Sequence, residues 1–168
     1  MNVQTPATYT PDTASGAGFL ATAETLGQRF AARAAEADAE DRFVAENYRE
    51  LKEAGLTSAG VPKELGGGGA TIAELGEMLR LLAHHCSSTA LAFSMHTHQV
   101  AIPAWRWSSQ KLAAVEPLLK RIAAEKLVLL SSGGSDWIPG SGRAERVEGG
   151  WRITGRKVFT SGAPAGDL

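Results

Sequence analysis

The sequence predicts an α+β fold in which a helical domain of about 110 residues is followed by the beginning of a β-domain. Apolar residues recur at helical spacing through the first two-thirds of the chain. After Lys126 the pattern changes to short apolar and β-branched runs separated by glycines. We therefore divide the chain into an N-terminal arm (1–17), an all-α domain (18–126) and an incomplete β-domain (127–168).

The composition is that of an ordinary globular protein of 168 residues, with 43% hydrophobic and 21% charged residues. The net charge of −1 gives no reason to expect a nucleic-acid partner. A single cysteine, Cys86, excludes an internal disulfide and agrees with a cytoplasmic location. No apolar run is long enough for membrane insertion, and residues 1–17 lack the features of a secretory signal and predict a flexible arm.

The first helices are predicted from apolar spacing and from their end signals. Helical spacing covers residues 19–39 and 44–54, and Gly55 suits a left-handed C-terminal cap. Thr71 and Glu74 have the Thr-x-x-Glu spacing of a capping box, so a further helix is expected to begin there.

The next helix is predicted from Thr89 to about Trp105 and is apolar nearly all round, which favours a central, buried position. Pro103 is expected to bend or end it. Ser108 is the expected cap of the following helix, which Pro117 restarts as a first-turn proline.

Four consecutive glycines in the segment 61–69 (Val-Pro-Lys-Glu-Leu-Gly-Gly-Gly-Gly) exclude a regular element. A phosphate-binding loop is one interpretation, but no Gly-Lys-Ser/Thr ending follows and no strand precedes the glycines. A plain turn is therefore favoured.

The β-domain is predicted to begin with a buried strand over 127–132 and a loop over 133–142. Residues 143–148 and 151–159 then form two strands joined by the two-residue turn Gly149-Gly150. So small a sheet leaves an unpaired edge and an apolar face uncovered. We expect the missing surface to come from further chain or from a partner.

Five stretches, taken in order, resemble the acyl-CoA dehydrogenase superfamily over nearly the whole chain from about residue 19. Each stretch alone is unspecific, but the ordered set is a strong resemblance. The stretches are 51–56 (Leu-Lys-Glu-Ala-Gly-Leu), 61–67 (Val-Pro-Lys-Glu-Leu-Gly-Gly), 87–96 (Ser-Ser-Thr-Ala-Leu-Ala, then Met-His), 134–136 (Gly-Ser-Asp) and 149–159 (Gly-Gly-Trp-Arg-Ile-Thr-Gly-Arg-Lys-Val-Phe).

The resemblance implies three domains: a helical domain, a β-barrel-like middle domain and a C-terminal four-helix domain. It also implies FAD, or alternatively FMN, in the cleft between the second and third domains, and a homo-oligomer when complete. The family's catalytic glutamate lies in the C-terminal domain, which this sequence does not include, so we name no catalytic residue.

The resemblance assigns candidate binding residues by position. Contacts to the flavin are expected at the end of the first strand and after the hairpin, at Leu130, Ser131, Ser132, Phe159 and Ser161. Contacts on the substrate side are expected at Ser135 and His96. Each position also has an ordinary structural interpretation: a serine-rich strand end, turn chemistry at Ser135 and Ser161, a core phenylalanine, and a hydrogen-bonded core histidine.

Metal binding is not expected. His96 and His98 are two residues apart and would point about 200° away from each other on a helix. His84 and His85 are adjacent in the sequence and equally unsuited to share an ion.

Three functions remain open from the sequence. The resemblance first implies oxidation of an acyl-CoA, with electrons passed to a separate acceptor. The second is a monooxygenase that takes reduced flavin from a reductase. It is favoured by the Phe-Thr-Ser-Gly-Ala stretch 159–163 and by the lack of the Thr-Glu-Pro that many dehydrogenases carry before Gly-Ser-Asp. In such enzymes Ser161 and His96 would assist the oxygen chemistry. The third is a non-catalytic helical interaction module.

Overall fold

A computed structural model describes residues 17–132, 142–157 and 159–168. It confirms the α+β class, with helices first and short antiparallel strands after them. Ser135 lies outside the described residues, as does the N-terminal arm up to residue 16. The helices are α1 Ala17–Ala39, α2 Ala45–Glu53, α3 Ile72–His85, α4 Ser87–Gln110 and α5 Glu116–Glu125, and the strands are β1 Ser131–Ser132, β2 Arg143–Val147, β3 Gly150–Thr154 and β4 Thr160–Ser161.

The main core lies between α1, α3 and α4, with α3 packed against both of the others. Large side chains that are fully buried there include Phe30, Met78, Leu82 and Phe93. Burying a side chain of this size contributes about 2 to 3 kcal/mol. A second cluster joins α4 and α5 to the segment that leads into β1, through residues such as Val100, Leu119, Ile122, Leu127 and Leu129.

A polar network ties α2 to its neighbours inside the core. Arg33 of α1 donates hydrogen bonds to Asn47 Oδ1 (2.7 Å) and Glu50 Oε1 (2.6 Å) of α2. Asn47 Nδ2 donates in turn to Thr89 Oγ1 of α4, at 2.6 Å. These hydrogen bonds therefore link α2 to both α1 and α4.

The predicted end signals of α2 and α3 are confirmed. Gly55 follows α2 with φ 76°, a left-handed conformation that glycine adopts without steric cost. Thr71 Oγ1 accepts from the Glu74 N–H (3.2 Å), and Glu74 Oε2 accepts from the Thr71 N–H (2.7 Å). The capping box is therefore complete.

The segment 61–69 contains a short 3₁₀ helix, Lys63–Leu65, so the expectation that it holds no regular element was wrong. The glycines after it form a plain turn, as favoured from the sequence. The N–H groups of Gly67, Gly68 and Gly69 are bonded to the carbonyls of Pro62, Ser58 and Val61. A β-carbon at Gly67 would collide with the backbone of Val61, and one at Gly68 with the backbone of Ala59. The loop thus has its donors turned inward, and they are not free to hold a phosphate.

The predicted end of α4 near Trp105 and the predicted cap at Ser108 were wrong. The helix continues through Pro103 to Gln110, so Ser108 lies inside it and does not cap the next helix. A proline removes a single helical N–H, and the packing of Val100, Ala104 and Trp107 against the second cluster holds the helix beyond it. Pro117 does lie in the first turn of α5, as predicted.

The expectation that α4 is buried all round was also wrong. Leu91, Ile102 and Trp105 are 69%, 47% and 53% exposed. They lie on one side of the helix, since they are spaced by 11 and 3 residues, close to whole turns. α4 therefore packs through one side only and presents an apolar stripe to solvent.

The strands are shorter than predicted. Of the run 127–132, only Ser131 and Ser132 form a ladder, antiparallel to β4. The second hairpin strand ends at Thr154 instead of 159, and pairing resumes at Thr160. The hairpin of β2 and β3 is confirmed, but its two-residue turn is Glu148-Gly149 instead of Gly149-Gly150, because Val147 already pairs with Gly150. Gly149 has φ 78°. Among the described helices, none combines the length and apolarity needed to cross a bilayer.

Candidate functional site

Two strand ends that are 30 residues apart in sequence meet beside α4. β1 pairs with β4 so that Ser131 lies opposite Ser161 and Ser132 lies opposite Thr160. Directly opposed residues in an antiparallel pair point to the same face, with Cβ atoms about 5 Å apart. The structure therefore brings together three of the residues that the sequence assigned to the flavin.

The hydroxyl groups of these strand ends are available. All four residues are half-buried, and within the described part of the chain no side-chain hydrogen bond is made by Ser131, Ser132, Thr160 or Ser161. A hydroxyl both donates and accepts, so the Ser131–Ser161 face offers a compact polar surface to a ligand.

Phe159 precedes this pair and is unusual in two ways. Its φ is 58°, in the left-handed region, where a bulky residue is a genuine outlier. Its side chain is 76% exposed, so it is not the core residue that its apolar character suggests. Strain of this kind persists where the surrounding structure imposes it, and it is concentrated at binding sites.

Leu130 has a different place from the one expected. Its N–H donates to the Leu168 carbonyl at 2.7 Å, so it is not free to donate to a cofactor. Its side chain lies against Gly166, where a β-carbon would collide with it. Leu130 thus packs against and is hydrogen-bonded to the C-terminal segment 166–168, which lies beside β1.

His96 is buried below the strand instead of lining an open pocket. It is 2% exposed, and its ring is stacked on Phe93 with centroids 5.2 Å apart. Nε2 lies 2.8 Å from the Thr57 carbonyl, and Nδ1 accepts from the Leu129 N–H at 2.9 Å. Both ring nitrogens are therefore occupied by backbone groups, and neither is left for a substrate.

Burial dominates the acid–base behaviour of His96. Removal from water lowers the pKa of the imidazole to about 4, although the hydrogen bond to Thr57 and the charge of Asp167 act in the opposite direction. The ring is accordingly neutral at physiological pH.

Sequence reasoning missed Asp167 and Lys52. Asp167 Oδ2 accepts from Lys52 Nζ and from the Val128 N–H, both at 2.8 Å. Partial burial would raise the pKa of Asp167, but these two hydrogen bonds outweigh it and lower the pKa below its usual value. No local pattern could have indicated this contact, because Asp167 lies 39 residues from Val128 in the chain.

Gly162 directly follows β4, where the chain leaves the strand. It has φ 80° and is buried against Tyr48, whose hydroxyl would lie 2.9 Å from an added β-carbon. The Tyr48 hydroxyl itself has no hydrogen-bond partner among the described residues, and burial raises its pKa.

In the described part of the chain the β1–β4 pair forms a surface that we call the open wall, and it lies outside the two grooves that follow. Two grooves of about 570 and 460 Å³ lie between α1 and the α3–α4 turn and between the glycine segment and α4. Neither is lined by β1 or β4. Across the described residues, no cluster of side chains suits a metal ion.

Comparison with known proteins shows the family of this chain. The family model described as "Acyl-CoA dehydrogenase, N-terminal domain" matches residues 19–125. YdbM of Bacillus subtilis (strain 168), named as a candidate acyl-CoA dehydrogenase, is 30% identical over 151 residues, or 84% of this chain and 39% of YdbM. The oxygenase component of p-hydroxyphenylacetate 3-hydroxylase from Acinetobacter baumannii is 32% identical over 156 residues, or 91% of this chain and 33% of that protein.

A solved structure agrees. KijD3, determined in complex with dTDP, superposes with a TM-score of 0.80 at 29% identity, over 94% of this chain and 42% of KijD3. The chain thus spans roughly a third to two-fifths of the length of these proteins, as their covered shares of 33% to 42% show. The ordered motifs, the helical fold and the match over residues 19–125 together show that this chain belongs to the acyl-CoA dehydrogenase superfamily.

Proposed function

We propose that this chain forms one wall of a flavin site in a flavoprotein oxidoreductase. The observation that carries the proposal is the Ser131–Ser161 pair, whose hydroxyls make no hydrogen bond to the described residues, next to Phe159, whose backbone is strained and whose ring is exposed. Membership of the superfamily supports it, because the resemblance implies a flavin at these positions.

The chemistry of these residues fits a flavin. An isoalloxazine has hydrogen-bonding atoms along one edge and at N5, and two flat apolar faces. The hydroxyls of Ser131 and Ser161 suit the polar edge, and the ring of Phe159 suits a face. When bound, the flavin would supply the electron transfer, while these residues orient it and exclude water from one side.

Within this function we favour the oxygen-using class, supplied with reduced flavin by a reductase. Two features of the chain support it: the Phe-Thr-Ser-Gly-Ala stretch 159–163 and the absence of Thr-Glu-Pro before residue 134. The relative from Acinetobacter baumannii is named as an oxygenase component and is similar over 91% of this chain.

Acyl-CoA dehydrogenation is the second candidate, favoured by the family model and by YdbM. In that case an acyl-CoA would be the substrate, FAD the cofactor and a separate protein the electron acceptor. For both candidate functions we propose a cytoplasmic location, a homo-oligomeric state and a domain boundary at residue 126.

Flavin binding can be tested on this chain by nuclear magnetic resonance, which detects weak binding to an open wall. FAD and FMN are titrated separately into the ¹⁵N-labelled protein. We expect amide shifts centred on residues 131–132 and 159–162, and we expect Ser161→Ala and Phe159→Ala to reduce them. Ser109→Ala, an exposed serine at the end of α4, is the matched control.

Shifts centred on either of the two large grooves, or no shifts with either flavin, would contradict the proposed site. If neither flavin causes shifts, the non-catalytic helical module becomes the better description. If flavin binds, oxygen uptake with chemically reduced flavin separates the oxygenase from the dehydrogenase, which instead would reduce its flavin anaerobically with an acyl-CoA.

A further inference from the structure

The buried imidazole of His96 connects three parts of the molecule. It belongs to α4, its Nε2 reaches the carbonyl of Thr57 in the turn after α2, and its Nδ1 reaches the amide of Leu129 ahead of β1. Stacking on Phe93, with an interplanar angle of 25°, fixes the plane of the ring.

These contacts allow a single protonation form. The Leu129 N–H can only donate, so Nδ1 must be the unprotonated nitrogen. The Thr57 carbonyl can only accept, so Nε2 must carry the proton. Protonating Nδ1 would set two N–H groups against each other, and moving the proton from Nε2 to Nδ1 would break both hydrogen bonds.

The Leu129 amide lies two residues before β1. Strand pairing begins only at Ser131, and the three amides before it are held by other groups. The Val128 N–H is held by the Asp167 carboxylate, the Leu129 N–H by His96, and the Leu130 N–H by the Leu168 carbonyl. His96 is thus the one of these three partners that belongs to the helical domain.

A strand advances about 3.3 Å per residue, so Ser131 lies roughly 7 Å beyond the amide that His96 holds. A displacement or rotation of Leu129 is therefore expected to move the Ser131–Ser161 pair as well, because only one residue lies between Leu129 and Ser131. The segment before β1 is also buried, since Val128 and Leu129 are 1% and 8% exposed.

We propose that His96 is a positioning residue, which in its Nε2-protonated form holds the Leu129 amide and so sets the place of the Ser131–Ser161 pair relative to α4. It acts on the candidate site through the strand and does not contact the ligand. This assignment replaces the substrate contact that the resemblance suggested for His96. Its effect on a flavin rests on the proposed function, whereas its effect on the strand does not.

The first test needs no flavin. Long-range ¹H–¹⁵N spectra of the histidine side chains report which ring nitrogen is protonated. We expect His96 to show the neutral Nε2–H form from pH 7 down to pH 5, where an ordinary histidine has become doubly protonated. A proton on Nδ1, or titration near pH 6.5, would overturn the proposal. The charged or titratable groups facing the ring are Asp167, Lys52 and His98.

The second test uses two substitutions that separate the two hydrogen bonds. His96→Asn places a side-chain oxygen near the position of Nδ1 and can still accept from Leu129, whereas His96→Leu cannot. We expect exchange of the Leu129 amide with solvent to become about tenfold faster in His96→Leu, with the amide signals of Ser131 and Ser161 displaced. His96→Asn should restore most of the protection.

His98→Leu, a half-buried histidine on the same helix, is the control and should leave Leu129 and Ser131 unchanged. Unchanged exchange at Leu129 in His96→Leu, or equal effects of His96→Asn and His96→Leu, would overturn the positioning role. If His96→Leu does not fold, the comparison of His96→Asn with wild type and the wild-type protonation form still decide the matter.

A flavin titration of the same variants connects this role to the candidate site. We expect the flavin-induced shifts to weaken in His96→Leu and to recover in His96→Asn. If wild type binds no flavin, the proposed function fails while the histidine spectra and the amide exchange still judge the positioning role.

Discussion

At the scale of one residue, the strained backbone of Phe159 lowers stability, while its exposed ring is the face that we propose for the flavin. A left-handed backbone costs a residue with a β-carbon about 1 to 2 kcal/mol, and the exposed ring of Phe159 recovers little of this by burial. Asparagine tolerates the left-handed conformation better than other residues with side chains.

We therefore expect Phe159→Asn to raise the free energy of unfolding by up to about 1 kcal/mol. The same change should weaken the flavin-induced shifts, because the aromatic face is lost. Urea denaturation measures the first effect. Phe159→Ala is the control, since alanine keeps the strain and should not stabilise; an alanine variant as stable as the asparagine variant would show that the strain is absent.

Gly162 is the residue that lets the chain leave β4 over Tyr48. We expect Gly162→Ala to cost about 2 to 3 kcal/mol, since it combines a left-handed conformation with a collision against the Tyr48 hydroxyl. Gly55 has a similar φ of 76° but open space around it. Gly55→Ala should therefore cost only about 1 kcal/mol.

Thermal denaturation of the two variants compares these costs. Adding Tyr48→Phe to Gly162→Ala removes the colliding hydroxyl and should recover part of the loss. Equal destabilisation by the two alanine substitutions would mean that the contact with Tyr48 contributes nothing.

The buried imidazole of His96 also predicts a pH dependence of stability. Its pKa is about 4 in the folded chain and near 6.5 in the unfolded chain. Between these values the unfolded state binds a proton that the folded state does not, so stability falls as the pH is lowered from 6.5 to 4 and this contribution then levels off. The full loss is about 3 kcal/mol.

The measurement is the free energy of unfolding from pH 7 to pH 4 for wild type and for His96→Asn. Asp167, whose pKa is lowered, adds a decrease of the same sign at more acidic pH in both proteins. The difference between the two curves therefore isolates His96. A difference that does not change between pH 6.5 and pH 4 would contradict the assigned burial and hydrogen bonds.

At the scale of one element, α4 divides into a packed side and an exposed stripe. Val100 is 2% exposed, whereas Ile102, two residues further along, is 47% exposed. We expect Val100→Ser to destabilise by about 2 to 3 kcal/mol, because it leaves a cavity and buries a hydroxyl. Ile102→Ser should change stability by only about 0.5 kcal/mol.

Denaturation midpoints of these two variants test where the packed side lies. A large effect at Ile102 would show that the stripe is covered in solution.

The elements also differ in whether they could be predicted from the sequence. The capping box at Thr71 and Glu74, the left-handed Gly55 and the first-turn Pro117 are local signals, and all three were predicted correctly. The continuation of α4 past Pro103 was not, because it depends on packing against α5 and the segment before β1. Local periodicity likewise could not predict that the strand 127–132 pairs only at its end.

At the scale of the whole molecule, the site depends on contacts between distant parts of the chain. The resemblance to the family gave Ser131 and Ser161 as separate positions, and the structure places them opposite each other. The roles of His96 and Asp167 could not be obtained in this way, because each holds a backbone amide that is more than 30 residues away in sequence, as the separations of 33 and 39 residues show.

The whole chain also leaves apolar surface uncovered. Trp151 and Ile153 of the β2–β3 hairpin are 64% and 78% exposed, in addition to the α4 stripe. The proteins to which this chain is similar are more than twice its length, since it covers at most 42% of those compared.

Contacts between flavin protons and protein protons give the most direct test of the wall itself. A nuclear Overhauser spectrum of the chain with excess FMN should show contacts from the isoalloxazine protons to the ring of Phe159, together with contacts to the β-protons of Ser131 or Ser161. Contacts to Trp105 or to the α3–α4 turn, without any to Phe159, would place the flavin on a different surface and contradict the account.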